Sequence, residues 1–179
     1  PVLLGEIEAM GLRGEGDAGG VEFGATPTAM VDALLQLRTA SRLVVRVATF
    51  RARTFAELER HAGKVDWAGV LPTGMPVHFR VTSKKSRLYH EDAIAERLER
   101  AVAGQVSGTT VVRAPSDAEA READVTALPE VQRFVVRVHR DEVTISADAS
   151  GALLHRRGWR QEVARAPLRG PLAALVLLG

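Results

Sequence analysis

The sequence predicts an α+β fold. Two patterns carry that reading. Segments whose apolar residues recur every three or four positions, such as EDAIAERLERAVAG, mark helices, and segments that alternate strictly, such as PVHFRVT, mark strands. The two kinds follow one another along 179 residues, 46% of them hydrophobic and 26% charged, a length and balance that suit one domain or two small ones.

The chain opens on PVLLGEIEAMG, where Leu3, Ile7 and Met10 recur at helical spacing ahead of Gly11. Proline fits a helix's first turn and glycine commonly follows its last, so a helix of about ten residues is expected here. GLRGEGDAGG reads as a flexible turn. It has the glycine content of a phosphate-cradling loop but lacks the GxxxxGK[ST] spacing and joins no strand to a helix. VEFGA follows as a short strand. In ATPTAMVDALLQLRTA, Thr26 can cap a helix, Pro27 fits its first position, and Met30, Leu34 and Leu37 line one face. SRLVVRVATF, rich in β-branched residues, then reads as a strand and completes a helix, strand, helix, strand order.

TFAELERHAGKVDW begins with a capping box, in which Thr54 accepts from the amide of Glu57 while Glu57 reaches back to the amide of Thr54. Phe55 and Leu58 supply its buried side and Gly63 ends it. Next, PVHFRVT places Val77, Phe79 and Val81 on one face and His78, Arg80 and Thr82 on the other, the mark of a half-buried strand. EDAIAERLERAVAG has Ile94, Leu98, Ala101 and Val102 on one stripe, Glu91 and Asp92 in the first turn where the dipole favours acids, and Gly104 as a stop. Residues 105 to 130 break the pattern and are expected to form an exposed, variable loop. VQRFVVRVHRDEVTISADAS returns to alternation as two strands, with Arg140 and Asp141 at a hairpin turn between them.

Composition excludes several kinds of chemistry. The chain has no cysteine, so disulfides, thiol catalysis and thiolate metal sites are ruled out, and the histidines at 61, 78, 90, 139 and 155 show no ligand spacing such as HExxH. No metal site is expected. No apolar run approaches the roughly 18 to 20 residues that span a bilayer, which makes a soluble, cytoplasmic protein without membrane contact the expectation. His61 and His78 read as structural residues. Glu91 with Asp92, and Glu96 four before Arg100, fit helix-end and helix-face electrostatics rather than paired acid and base catalysis, and no catalytic residue is assigned.

The formal net charge of +2 conceals a segregation of charge along the chain. From Pro1 to Met30 the acids Glu6, Glu8, Glu15, Asp17 and Glu22 face Arg13 alone, whereas from Pro76 to His90 the bases Arg80, Lys84, Lys85 and Arg87 face no acid. The second of these stretches stands where strand gives way to helix, and helix N-termini attract phosphates through their free amides and dipole. A solvated surface loop would have the same charge count. Against it stand the geometry and the neighbouring Tyr89 and His90, which can stack on a base or a ribose, although packing beneath the helix would suit Tyr89 equally well. Arg156, Arg157, Arg160, Arg165 and Arg169, with Glu162 the one acid among them, form a further basic block.

FRVTSKKSRLYHEDAIAERL, VQRFVVRVHRDEVTISADASGALLHRRGWR and APLRGPLAALVLL together resemble the N-terminal half of THUMP-containing, S-adenosylmethionine-dependent RNA methyltransferases, the RlmL-like and tRNA guanine-N2 methyltransferase-like enzymes. SRLYH leading into AIAER, and SGALLHRRGWR leading into APLR, are the most specific segments. The resemblance covers nearly the whole chain. It implies a ferredoxin-like N-terminal subdomain lacking its first strand over residues 1–52, an α/β THUMP domain with a mixed sheet over 53–150, and a linker with the start of a Rossmann-like methyltransferase domain over 151–179. The cofactor glycine motif and the Asn/Asp-Pro-Pro-aromatic motif of these enzymes are absent from the 179 residues, so no cofactor is expected on this chain and S-adenosylmethionine is implied for the parent. Trp159 stands where tyrosine is common, and Gly170 and Pro171 where a charged residue often precedes the helix.

The implied partners are structured RNA, either tRNA or ribosomal RNA, and the chain's own C-terminal methyltransferase domain. Lys84, Lys85, Arg87 and His90 are expected to form the phosphate-facing edge, flanked by Arg80 and Arg97. Arg156, Arg157 and Arg160, beside His155, are expected either to touch RNA near the catalytic domain or to form its hinge. Two alternatives stay open: the THUMP module of another RNA-modifying enzyme, such as a thiouridine synthetase or a deaminase, and a stand-alone interaction domain.

Overall fold

The computed structural model describes residues 2–17, 19–112, 130–151, 153 and 154. Contacts divide the chain into two compact units: one runs from its start to Leu43 and includes Leu154, and the other spans Val44–Gly151.

In the first unit, helix α1 (Val2–Ala9) is followed by strands β1 (Gly14–Asp17) and β2 (Gly20–Phe23) and by helix α2 (Pro27–Gln36). Thr26 Oγ1 accepts from the amide of Ala29 at 3.2 Å, and Pro27 occupies the first turn, so α2 starts where the sequence places it. Ile7 from α1, Ala33 and Leu37 from α2, and Leu43 and Leu154 form a buried cluster, with Leu154 tied by its amide to the carbonyl of Ser41. GEGD, expected to lie in a flexible turn, is instead strand β1, antiparallel to β2 with Glu15 opposite Glu22. The absence of β-branched or aromatic residues hid it, because strand propensity reports side-chain packing and GEGD has little to pack.

The second unit is built on a four-stranded mixed sheet of order β3-β6-β5-β4, using β3 (Val44–Arg51), β4 (Val77–Lys84), β5 (Gln132–His139) and β6 (Glu142–Asp148). β4 and β5 run parallel, and the other neighbours antiparallel. An expected division after residue 52 would group β3 with the preceding residues. In the structure β3 is an edge strand of the second sheet, hydrogen-bonded along β6 with one irregularity between Arg46 and Ala48. Of the apolar stripes read from the sequence in helices α3 (Phe55–Ala62) and α4 (Glu91–Ala103), Leu58, Ile94, Leu98 and Val102 are fully buried and Phe55 and Ala101 partly so, and Ala62, which the reading left out, is fully buried beside them.

These stripes join the inward face of the sheet in one core with Val77, Phe79, Phe134, Val136, Val138, Val143 and Ile145. Phe79 and Phe134 are register partners on β4 and β5 and stack at 5.0 Å, while Trp67 meets both rings edge-on at 5.9 and 5.4 Å. These offset and edge geometries add to the apolar area the rings bury. The indole N–H is satisfied as well, donating to the carbonyl of Ala62 at 2.9 Å. His61 stacks on Phe50 and His78 sits 3.2 Å from the carbonyl of Val112, so both serve within the fold. Residues 105–112 do not form a free loop: Val77 donates to Thr110 and accepts from Val112. Most of the expected variable loop lies outside the described residues.

Candidate functional site

Three connections meet at one end of the second sheet: the β3–α3 junction, the β4–α4 loop and the β5–β6 hairpin. Asp141 holds them together. Its carbonyl accepts from the amide of Ala52 at 2.9 Å, one carboxylate oxygen accepts from the amide of Arg87 at 2.9 Å, and the other pairs with Arg53 Nε at 3.3 Å. The amide of Asp141 donates to Ser86 Oγ at 3.1 Å, and Ser86 Oγ in turn donates to the carbonyl of Lys84 at 3.0 Å. The amide of Arg87 holds the Asp141 carboxyl below the ordinary aspartate range, with the charges of Arg53 and Arg87 adding to it and desolvation opposing.

The backbone here is unusual. Lys85 has φ 53, and Arg140 and Asp141 have φ 51 and 64. Two successive positive angles are what a two-residue type I′ hairpin turn demands, although Asn-Gly is the common choice there. Side chains with a Cβ in this left-handed region carry strain of order 1–3 kcal/mol each, sustained only where the surroundings enforce it. The bonds to Asp141 supply that enforcement, and their result is a set of exposed cations on three adjacent connections.

Lys84 closes β4 and Lys85, Arg87 and His90 lie on the β4–α4 connection, all four exposed at this end. Tyr89 is 68% exposed with its ring 4.1 Å from that of His90, so this pair is presented outward rather than packed under α4. Helix α4 has no side-chain cap at its N-terminus. Glu91 does not sit over the helix's free amides but reaches back 2.8 Å to the amide of Ser83, while Ser83 Oγ donates to the carbonyl of Leu88, so the loop is closed on itself. Arg80 is exposed on the face of β4 away from the core.

Arg97 is committed elsewhere. Its guanidinium carbon lies 3.9 Å over the Phe55 ring, Nη1 donates to the carbonyl of Ala93 at 2.9 Å, and Nε lies 3.2 Å from Glu59, near enough for ion pairing but not aligned as a hydrogen bond. It ties α4 to α3. His155, Arg156, Arg157 and Arg160 lie outside the described residues. Sequence reading missed Arg51, Arg53 and Arg140. Arg51 and Arg53 line a shallow groove with Glu57 and Arg60. Nothing local marks them, because they reach this end only through the pairing of β3 with β6.

Among the described residues no group of histidines and carboxylates is placed to hold a metal, and no helix is long and apolar enough to cross a membrane. The chemistry available at this end is charge and hydrogen-bond donation. It suits an anion with many acceptors.

Residues 1–44 match the model of the RlmL ferredoxin-like domain. A large-subunit ribosomal RNA methyltransferase K/L from Syntrophotalea carbinolica is 30% identical across 99% of this chain. The chain matches the N-terminal region of RNA methyltransferases. It spans 24% of that relative's length. Among solved structures, a Listeria monocytogenes protein described as a predicted N6-adenine-specific DNA methylase superposes with a TM-score of 0.80 at 30% identity, over 99% of this chain and 45% of its own. SMU.472, solved in complex with SAH, gives 0.76 at 28% identity over the same shares. The fold is α+β: residues 1–44 match a ferredoxin-like domain, and a unit built on a mixed four-stranded sheet follows them.

Proposed function

We propose that the second unit is a THUMP domain and that this chain is the RNA-binding part of an S-adenosylmethionine-dependent RNA guanine-N2 methyltransferase, holding structured RNA for a catalytic domain. One observation carries the proposal: the convergence on Asp141 that presents Lys84, Lys85, Arg87, Arg53 and Arg140 from three connections at one end of the sheet. Cations fixed on several backbone segments match a polyanion whose phosphates are regularly spaced. Double-helical RNA is contacted mostly at its phosphates and ribose 2′-hydroxyls, since its deep, narrow major groove keeps side chains from the base edges there. The ribosomal RNA relative favours RNA over DNA as the polyanion, and the protein solved with SAH supports S-adenosylmethionine as the parent's cofactor, with no residue of this chain assigned to it. Arg156, Arg157 and Arg160 remain in the proposal on charge density alone.

The test is a fluorescence anisotropy titration of the full chain with a labelled RNA stem-loop bearing a single-stranded 3′ end. With three or four phosphate contacts, log affinity falls against log salt with a slope of about −2 to −4, at about 0.7 to 0.9 per contact. Lys84→Glu combined with Lys85→Glu weakens binding and makes the slope shallower by about two. Affinity and slope both unchanged in the double variant would sink the assignment of this loop to RNA.

A further inference from the structure

The second unit's helices α3 and α4 pack on one face of its sheet, and among the described residues the positions on the other face nearest the Asp141 end are mostly exposed. Register places three rows across it. Thr82, Arg137, Thr144 and Thr49 lie side by side on β4, β5, β6 and β3, and the next row toward the loops is Lys84, His139, Glu142 and Arg51. The third row, Arg80, Val135, Ser146 and Arg46, runs into a part of the face where Ser146 is buried. Thr82, Arg137, His139, Lys84 and Arg51 are exposed. Arg137 stands on an inner strand, where an exposed arginine contributes nothing to the core, and among the described residues it makes no ion pair or hydrogen bond.

From this arrangement we infer that the open sheet face is a second contact surface for the ribose-phosphate backbone of RNA, with Arg137 at its centre, continuous with the cations of the β4–α4 loop. The inference rests on the RNA reading above. Two features select the backbone over the bases. Sheets that read single-stranded bases do so by stacking them on aromatic side chains, and the two open rows contain none apart from the imidazole of His139. What they present instead is hydroxyl groups beside cations, the donors and acceptors that phosphate oxygens and ribose 2′-hydroxyls use. Glu142 is the one acid in the two rows, and its register partners are His139 and Arg51.

The experiment titrates the full chain against the labelled RNA stem-loop, a stem-loop of scrambled sequence and the DNA of the same sequence. Arg137→Gln, at an exposed position, keeps the wild-type melting temperature, lowers RNA affinity several-fold and makes the salt slope shallower by about one. Thr82→Val lowers affinity for RNA more than for DNA, and the scrambled stem binds the wild type as well as the original. If Arg137→Gln and Arg137→Glu both bind like wild type while the Lys84/Lys85 double variant is weakened, the sheet face is excluded and the loop reading survives. If the wild-type chain binds none of the probes, both fall together.

Discussion

At the scale of single residues, Asp141 does most to shape the candidate site, and it does so as an acid among bases. Its carboxylate is stabilised first by the amide of Arg87 and then by the charges of Arg53 and Arg87, so its folded pKa lies below the unfolded one. The sign follows from linkage. A carboxyl with a depressed folded pKa contributes stability that is fully present above its unfolded value and is lost as pH falls through the folded value, here below about pH 4. Glu57, lowered chiefly by the amide of Arg53, acts in the same direction. Asp141→Asn keeps an oxygen for the Arg87 amide and removes the titration. Thermal melts of this variant between neutral pH and about pH 2 should therefore show a shallower acid decline than wild type, with the remainder traceable to Glu57 and other carboxylates. Parallel declines would show that the Asp141 charge does not matter to the fold. The sequence shows Asp141 at a turn but not what it gathers, since Arg87 is 54 residues away and the hydrogen bond between them depends on where β4 and β6 lie in the sheet.

Among the elements, legibility followed how local the cause was. The start of α3 was readable because a capping box is a four-residue matter: Thr54 Oγ1 accepts from the amide of Glu57 at 3.2 Å, as expected. The return bond differs from the expected one, with Glu57 reaching the amide of Arg53 at 2.7 Å and the amide of Thr54 acting on it more weakly. That difference matters to the site, because it fixes the backbone of Arg53 next to the side chain that pairs with Asp141. Thr54→Ala leaves the amide of Glu57 without its partner and should cost about 1 kcal/mol by urea denaturation. A loss under a few tenths of a kcal/mol would mean that the tertiary contacts of α3, not its cap, set its start. The strand β3 was equally readable as a strand and unreadable as a neighbour of β6, for period-two alternation names a face and not a partner. The hairpin strand β1 was not readable at all. Glycine and acid in GEGD carry no strand signal, and Glu15 opposite Glu22 is a like-charge pair that disfavours the pairing.

For the whole molecule, the question is whether stability and binding reside in separable sets of residues. The second unit's core is dominated by Trp67, Phe79 and Phe134 beneath the sheet, while the cations proposed to bind stand on its rim and its opposite face. Net charge cannot reveal this division, since the acidic start and the basic stretch from Pro76 to His90 offset one another within the +2 of the whole chain. Truncating Phe134, which is fully buried, removes a stacking partner from Phe79 and an edge contact from Trp67 and leaves a void. Phe134→Ala should cost about 3–5 kcal/mol, a large share of the roughly 5–15 kcal/mol that holds an ordinary domain together. Because no proposed RNA contact is altered, the fraction that stays folded in the cold should bind the RNA stem-loop with wild-type affinity and salt slope. Arg137→Gln should do the reverse, weakening binding at unchanged stability. Paired chemical denaturation and cold anisotropy titrations of the two variants check both halves. A loss of affinity in folded Phe134→Ala, with the slope unchanged, would show that the rim depends on the aromatic core for its shape, and the binding surface could then no longer be treated as independent of the packing beneath it.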